Sequence, residues 1–285
     1  MKKSLLLCLI GAALSAHTYA QTQTDKPTYK TFKFDDGGIL NGMSDNGKWG
    51  AFSVQAQDGS STQVYSVGAR RVNMSSTESL LLTDGLLADT VKSSAANDVT
   101  NDGNIVVGSL NSKPAYFNVA ENAWHFVRMT GNRGSISSVT PDGRFAVGTI
   151  NPNSNEYNEK PALWDLATGD TIATPNLPVK DMAHTNQQQN RFIGISADGK
   201  YVLGCMSFSY LPTEVDAGGC FYYVYNVSKQ NYKAIGFDES DTEAWKPRAD
   251  NLLFVSEADM SNNGRYVTGS AYYFDSKGSL GSENA

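Results

Sequence analysis

Five copies of one short pattern organise the chain from residue 40 onward. Each copy consists of an apolar residue, Ser or Thr, any residue, Asp or Asn, Gly, and then a short, mostly apolar stretch. The copies are MSDNGKWGAFS, VTNDGNIVVGS, VTPDGRFAVGT, ISADGKYVLGC and MSNNGRYVTGS. Their turn glycines, spaced by 56, 40, 56 and 65 residues, are Gly47, Gly103, Gly143, Gly199 and Gly264. Repeats of this length indicate a chain built from stacked supersecondary units.

The pattern is typical of a β-hairpin. Asp-Gly or Asn-Gly at its centre supplies the positive φ angles of a tight turn, and apolar or aromatic residues flank the turn on both sides. The strand that follows Gly143 carries Phe145 and Val147 on one face and Ala146 and Ile150 on the other. Because both faces are apolar, we expect this strand to lie between two neighbouring sheets.

A second glycine recurs inside the strand after the turn. Glycine in a strand interior marks the close approach of another chain segment, and we expect neighbouring repeats to pack there. The first copy has Phe52 at this position, so its packing partner should differ. The recurring glycines are Gly108, Gly148, Gly204 and Gly269.

Two copies carry the pattern of four consecutive strands. The third copy predicts strands at 136–140, 144–150, 161–166 and 171–175, and the fourth predicts strands at 191–196, 200–208, 220–227 and 232–235. Antiparallel four-stranded units of this length are the blades of a β-propeller. The sequence therefore predicts an all-β chain of about five propeller blades.

The fifth copy predicts only two strands, at 252–261 and 265–274, with no outer pair after them. A propeller protects its sheet edges by closing its ring, so either the run 28–34 adds a closing strand or the chain is a fragment of a longer protein. We favour the fragment, because the added strand would leave the last blade with three strands. The domain prediction is a signal peptide over 1–20, an N-terminal segment over 21–39 and propeller repeats over 40–285.

The first twenty residues have the features of a secretory signal peptide. Lys2 and Lys3 precede an apolar run at 5–14, and Thr18-Tyr19-Ala20 offers a cleavage site after Ala20. We therefore expect a secreted, periplasmic or cell-surface protein. The mature chain has no apolar run of membrane-spanning length. It keeps 21 basic and 29 acidic residues, a net charge of −8, so nucleic acid is not an expected partner.

The repeats resemble those of a known family. The segments VTPDGRFAVGTINPNSNEYNEKPALWDLATGD and MSDNGKWGAFSVQAQDGSSTQVYSVGARRVNMS resemble the blades of TolB-type β-propellers, and the turn pattern is similar to the HAF extracellular repeat. The resemblance covers nearly all of residues 40–285. It implies a propeller fold and says little about activity, because propellers serve as scaffolds, lectins and hydrolases.

Cysteine and histidine are scarce, with three of each in the whole chain. If the signal peptide is removed, Cys205 and Cys220 remain, and we expect a disulfide that closes a hairpin. Two buried thiols are the alternative. The motifs G-x-S-x-G and H-E-x-x-H do not occur, and we predict no catalytic, cofactor-binding or metal-binding residues.

An acidic loop precedes a tryptophan near the end of the chain. Clustered carboxylates are typical of calcium ligands, and an aromatic beside them is typical of a sugar-binding rim. A solvated loop is the plainer interpretation. The residues of this possible binding loop are Asp238, Glu239, Asp241, Glu243 and Trp245.

The functional prediction is a secreted or cell-envelope scaffold that binds a protein or glycan through the variable loops at 151–160, 209–219 and 237–250. The first alternative, which the resemblance implies, is the substrate-gating propeller of a secreted prolyl oligopeptidase-like serine peptidase whose catalytic domain lies beyond residue 285. A glycan-binding or glycan-cleaving propeller is the second alternative. Within these residues we expect no enzyme activity and no cofactor.

Overall fold

The structure is a computed structural model, and its described residues form strands and the turns that join them. These residues are 38–57, 64–84, 86, 91–152, 158–173, 175, 188–210, 217–235, 254–274 and 280–284. They all belong to one compact unit, Asp36–Ala285. The predicted signal peptide (1–20), the predicted closing strand (28–34) and the acidic loop (238–245) lie outside the described residues.

The first two repeats each form a four-stranded antiparallel sheet whose strands follow one another in chain order. We call each such sheet a blade. Blade 1 contains β1 (Ile39–Met43), β2 (Trp49–Gln57), β3 (Val64–Asn73) and β4 (Ser79–Leu81). Blade 2 contains β5 (Ser94–Val99), β6 (Ile105–Leu110), β7 (Lys113–Asn118) and β8 (Ala123–Phe126).

The third and fourth repeats form blades of the same topology, as predicted. Blade 3 contains β9 (Arg133–Val139), β10 (Phe145–Asn151), β11 (Asn158–Asp165) and β12 (Asp170–Ala173). Blade 4 contains β13 (Gln188–Ile195), β14 (Tyr201–Tyr210), β15 (Ala217–Asn226) and β16 (Asn231–Ala234). A short parallel pairing of β11 with β13, at Asn158–Gln188 and Glu159–Gln189, joins the two blades into one eight-stranded sheet.

Blade 5 differs from the expectation. It contains β17 (Phe254–Met260), β18 (Val267–Phe274) and β19 (Leu280–Asn284). The third strand was not expected, but β19 pairs with β18 in antiparallel register from Ser270–Asn284 to Phe274–Leu280. Leu280 is the one large apolar residue of this strand, so its sequence lacks the alternation that would predict it.

The core lies between blades. The buried strand β10 divides its side chains as the alternation predicts: Ala146 and Ile150 pack with Ile136, on β9, and with residues of blade 2. Val147 packs on the other face with Phe192 and other residues of blade 4. The described chain is therefore an all-β stack of propeller blades whose first strands contact each other in order.

The prediction for the second glycine was wrong at Gly108 and Gly148, because the close neighbour lies within the same blade. A Cβ on either would collide with a carbonyl oxygen of the first strand, that of Ala95 or Ser135. The register of the first strand skips one residue opposite each glycine, which is a β-bulge. Gly204 is also crowded from within its blade, by the ring of Tyr223.

Candidate interaction surface

Five turns of one design join the first strand of each blade to the second. In blade 3, the backbone N–H of Gly143 donates to the carbonyl of Thr140 (2.8 Å), and Thr140 N–H donates to Phe145 C=O (2.8 Å). The turn glycines have φ between 67° and 75°, whereas Asp142 is not among the residues with positive φ. The hairpin loop therefore has four residues, and only its glycine supplies the left-handed conformation.

The Ser or Thr and the Asp or Asn of the pattern hold the turn through side-chain hydrogen bonds. Thr140 Oγ1 donates to Asp142 Oδ1 (2.6 Å) and accepts from Phe145 N–H (3.0 Å). The first bond is the main reason that the pKa of Asp142 lies below its usual value. The same hydroxyl-to-oxygen bond, 2.6–2.9 Å long, recurs at Ser44–Asn46, Thr100–Asp102, Ser196–Asp198 and Ser261–Asn263.

The turn glycines of blades 2 to 5 also each receive a side chain from the preceding blade. The side chain is that of the first residue of β2, β6, β10 or β14, two positions after the glycine of its own turn. We call this a junction contact, and a Cβ on the receiving glycine would lie 2.5–3.3 Å from the side chain. The pairs are Trp49 with Gly103, Ile105 with Gly143, Phe145 with Gly199, and Tyr201 with Gly264.

Backbone hydrogen bonds link neighbouring turns. Asn101 N–H donates to Pro141 C=O (3.1 Å), and Ala197 N–H donates to Asn262 C=O (2.7 Å). Asn46 makes the corresponding link from blade 1 through its side chain, whose Nδ2 donates to Asn101 C=O (2.8 Å). Because Pro141 has no N–H, it cannot donate to blade 4 in this way.

The first strands are linked by the residues at their bulges. Asn41 Nδ2 donates to Ala96 C=O in blade 2 (2.7 Å), and Asn97 Nδ2 donates to Ile136 C=O in blade 3 (2.7 Å). The two donors occupy equivalent positions in the repeat, as do the two acceptors. A partly buried hydrogen bond from a side-chain amide to the next blade therefore helps to fix the relative position of blades 1, 2 and 3.

Asp98 follows the bulge of blade 2 and carries a carboxylate between two first strands. It accepts hydrogen bonds from Val99 N–H (2.8 Å), Ser138 Oγ (2.9 Å) and Val139 N–H (3.0 Å). Burial outweighs these bonds and raises the pKa of Asp98 to about 6. Burial and the carboxylate of Asp259 likewise raise the pKa of Asp45. Within the described part of the chain, His, Cys, Asp and Glu form no cluster suited to a metal ion.

An open cleft of about 880 Å³ lies between the turns of blades 4 and 5. Lys200, Asp198 and Arg265 line it, together with backbone of both turns. Lys200 Nζ pairs with Asp198 Oδ2 at 2.8 Å, and this bond is the main reason that the pKa of Asp198 falls to about 2. The opposite charges of Lys200 and Asp198 compensate each other, and Arg265 lines the same cleft.

Cys205 and Cys220 lie on the paired strands β14 and β15. Cys205 is buried and stands opposite Tyr222, while Cys220 stands opposite Ser207. The two cysteines are therefore diagonal neighbours, whose Cα atoms are typically about 7–8 Å apart, beyond the usual span of a disulfide. The bridge stays a prediction, and it requires the two strands to move closer at this point.

Three tyrosines of β15, Tyr222, Tyr223 and Tyr225, are buried, as strand aromatics are expected to be. Tyr223 and Tyr225 belong to the cluster that contains Phe192. Tyr223 donates its hydroxyl to Asn190 Oδ1 (2.6 Å), and burial raises its pKa well above the usual value. These rings stabilise the blade and do not form a sugar-binding surface.

Sequence reasoning missed the polar residues at the bulges. Asn41 and Asn97 precede their turn patterns by two positions and Asp98 precedes its pattern by one, in strands whose other residues are apolar or small. An alignment of the five copies that extended three residues upstream would have shown an Asn at the same position in blades 1 and 2. The acidic loop with Asp238 and Trp245 lies outside the described residues, so its binding role stays a prediction.

Comparison with known proteins gives similarity at the level of structure. No protein family model matches the chain, and no curated protein matches its sequence. In the part that the structure describes, no helix has the length and apolar character needed to cross a bilayer.

Solved structures of several propeller-containing proteins are similar to the chain. TolB from Acinetobacter baumannii is 13% identical with a TM-score of 0.44, and the alignment covers 87% of this chain and 54% of TolB. Kuenenia stuttgartiensis hydrazine synthase is 11% identical (TM-score 0.48; 89% and 81% covered). Porphyromonas gingivalis dipeptidyl peptidase 4 is 11% identical (TM-score 0.45; 89% and 41% covered). The chain thus spans about half the length of the TolB structure and resembles TolB-like β-propellers.

Proposed function

We propose that the chain is a cell-envelope or secreted β-propeller that acts as a binding scaffold. Its partner surface is the end of the blades opposite the five turns, which we call the loop end. The observation that supports this proposal is the strand order. In an up-and-down blade, the connection between the second and third strands and the connection to the next blade both lie opposite the first turn.

The three variable connections predicted to bind a partner all emerge at the loop end. The connection after β10 begins at Asn151, the connection after β14 begins at Tyr210, and the connection to blade 5 begins after Ala234. Three loops of different length and composition on one rim are typical of a recognition surface on a rigid scaffold. The turn end, by contrast, is occupied by the junction contacts and the hydrogen bonds between blades.

The strands make the loop end uneven. The paired strands β14 and β15 have ten residues each, whereas β6 and β7 have six and close with the two-residue turn Asn111–Ser112. Four extra residues extend a strand by about 13 Å. Blade 4 therefore projects beyond blade 2 at the loop end, and a partner contacts a stepped rim.

Shortening blade 4 tests the proposal. Phe208 and Gly219 face each other in the ladder, as Leu110 and Lys113 do in blade 2. Residues 209–218 are replaced by Asn-Ser, which copies the blade 2 turn. The partner is first identified by cross-linking the full chain in an envelope extract, and its affinity for each variant is then measured with purified protein.

We expect the shortened variant to lose affinity for the partner and to keep its thermal unfolding midpoint. The matched control is the double variant Lys200→Ala, Arg265→Ala on the turn end, which should bind normally. If the control loses affinity and the shortened variant keeps it, the partner surface has been assigned to the wrong end. Export is tested separately, since a secreted chain should begin at Gln21 when its N-terminus is sequenced.

A further inference from the structure

A junction contact, made of a side chain and a turn glycine, is present between each pair of consecutive blades. Within the described residues, blade 5 has the side chain of such a contact without a following glycine, and blade 1 has the glycine without a preceding side chain. Tyr266 occupies in blade 5 the position that Tyr201 occupies in blade 4, and 67% of its surface is exposed. Gly47 is the turn glycine of blade 1, and a Cβ built on it would meet no heavy atom within 4 Å. The aromatic half and the glycine half of one more junction are therefore both displayed on the surface.

Blade 1 also exposes apolar side chains on its first strand. Leu40 is 45% exposed and Met43 is 50% exposed. Their counterparts in blade 2 are Ala96 and Val99, which are 0% and 3% exposed. Blade 1 contacts the first strand of blade 2 and covers it. The exposed apolar residues of blade 1 occupy the positions that are covered in blade 2, so this face of blade 1 is suited to pack against another blade.

Two carboxylates near the exposed faces influence each other. Burial raises the pKa of Asp45, in the turn after β1, and the carboxylate of Asp259 on β17 raises it further. Charges influence each other strongly only within a screening distance of about 10 Å at moderate salt. The end of β17 is therefore near enough to the turn of blade 1 for these two charges to interact.

We propose that these two faces together bind one further four-stranded blade of the same repeat type, supplied by a polypeptide that carries this repeat. The turn glycine of the incoming blade lies against Tyr266. The residue two positions after that glycine covers Gly47. The incoming blade makes the same contacts as in the four observed junctions, with blade 5 on one side and blade 1 on the other.

Hydrogen bonds between turns extend the same geometry. Ala197 N–H donates to Asn262 C=O, so Asn262 N–H is positioned to donate to the corresponding carbonyl of the incoming turn. The turn of the incoming blade carries the same pattern of Ser or Thr, any residue, Asp or Asn, and Gly.

Tyrosine nitration of the full chain gives the first test. Tyr201 is the internal control, because its ring lies against Gly264 while Tyr266 is exposed. The chain is treated with tetranitromethane at a concentration where light scattering shows a monomer, and peptides are quantified by mass spectrometry. We expect Tyr266 to react several-fold faster than Tyr201. Equal protection in the monomer overturns the proposal, and protection of Tyr266 in a stoichiometric dimer overturns it in favour of a second copy.

Supplying the missing blade gives the second test. The full chain is extended after Ala285 by a flexible linker, in two lengths, and a second copy of residues 93–127, which contain blade 2. We expect Tyr266 to become as protected as Tyr201 and the unfolding midpoint to rise by about 4 °C or more.

The matched control carries Gly103→Val in the appended copy alone, which blocks the contact with Tyr266 and leaves the native blades unchanged. We expect this control to keep the nitration rate and the unfolding midpoint of the unextended chain. If the glycine and valine extensions behave alike at both linker lengths, the proposed geometry is wrong.

Discussion

The ring of Phe145 lies against Gly199, the turn glycine of the following blade. A Cβ built on Gly199 would be 2.8 Å from Phe145 Cδ2, and the backbone there has φ of 70°. Two requirements thus meet at one residue, since any side chain would strain the turn and collide with the neighbouring blade. The same glycine closes a hairpin and sets the spacing between blades 3 and 4.

Gly199→Ala should separate these two requirements when it is compared with Gly47→Ala. Both glycines have nearly the same φ, 70° and 68°, but a Cβ at Gly47 has no neighbour within 4 Å. We expect Gly47→Ala to lower the free energy of unfolding by about 1 kcal/mol through backbone strain alone. Gly199→Ala should cost about 2–4 kcal/mol, because the collision with Phe145 adds to the strain. Urea denaturation measures both, and equal losses would show that the junction contact contributes nothing.

The turn hydroxyl is tested at Thr140. Thr140→Val should lower the free energy of unfolding by about 1–3 kcal/mol, because Phe145 N–H and Asp142 lose the partner that the buried Thr140 hydroxyl provides. Thr140→Ser is the control and should remain near the wild type, since blades 1, 4 and 5 carry Ser at this position. A valine variant as stable as the wild type would contradict a stabilising role for the hydroxyl.

The bulge amide is tested at Asn97. Asn97→Ala removes the hydrogen bonds to Ile136 C=O and Ser135 Oγ (2.7 and 2.9 Å) and should lower the free energy of unfolding by about 1–2 kcal/mol. Asn104→Ala serves as control, because its amide bonds only within its own exposed turn. Hydrogen exchange of β9 should increase in the first variant alone. Unchanged exchange there would contradict a link between blades 2 and 3.

Acidification should stabilise the protein through Asp98. The pKa of Asp98 is raised to about 6 in the folded state from 3.8, so the folded protein binds a proton more tightly than the unfolded chain. Stability therefore rises as pH falls from 7 toward 5, by about 1 kcal/mol from this group. Asp98→Asn should remove that part of the slope, whereas Asp84→Asn, in an exposed turn, should keep it. A slope of opposite sign in urea titrations at pH 5, 6 and 7 would contradict the assignment.

The repeat pattern was sufficient to predict the blades because its signals are local. A turn glycine preceded by Asp or Asn, with apolar residues on both sides, requires a hairpin wherever it occurs. The fourth repeat was therefore predicted with four strands, although β13 starts at Gln188 rather than at residue 191. Strand ends were less accurate, because polar residues such as Gln188 and Gln189 pair there without contributing an apolar side chain.

The site could not be predicted as well, because its features depend on residues that are distant in sequence. The raised pKa of Asp98 comes from burial between β5 and β9, and nothing in the sequence around Asp98 specifies that neighbour. The crowding of Gly148 comes from a bulge in the paired strand, which the pattern of Gly148 itself does not contain. The local sequence pattern predicts the strands and turns, whereas properties such as the pKa of Asp98 depend on contacts between strands that the pattern does not specify.

Pro141 gives the boundary between blades 3 and 4 a mechanical character of its own. Its ring removes the donor that Asn101 and Ala197 use to link neighbouring turns, while the backbone pairing of Asn158 and Glu159 with β13 joins these blades at the opposite end. The other three boundaries have hydrogen bonds between their turns, whereas this one has the contact of Phe145 with Gly199 at the turns and backbone pairing at the loop end. Under load, blades 3 and 4 should therefore separate first at the turns and pivot about the paired strands β11 and β13.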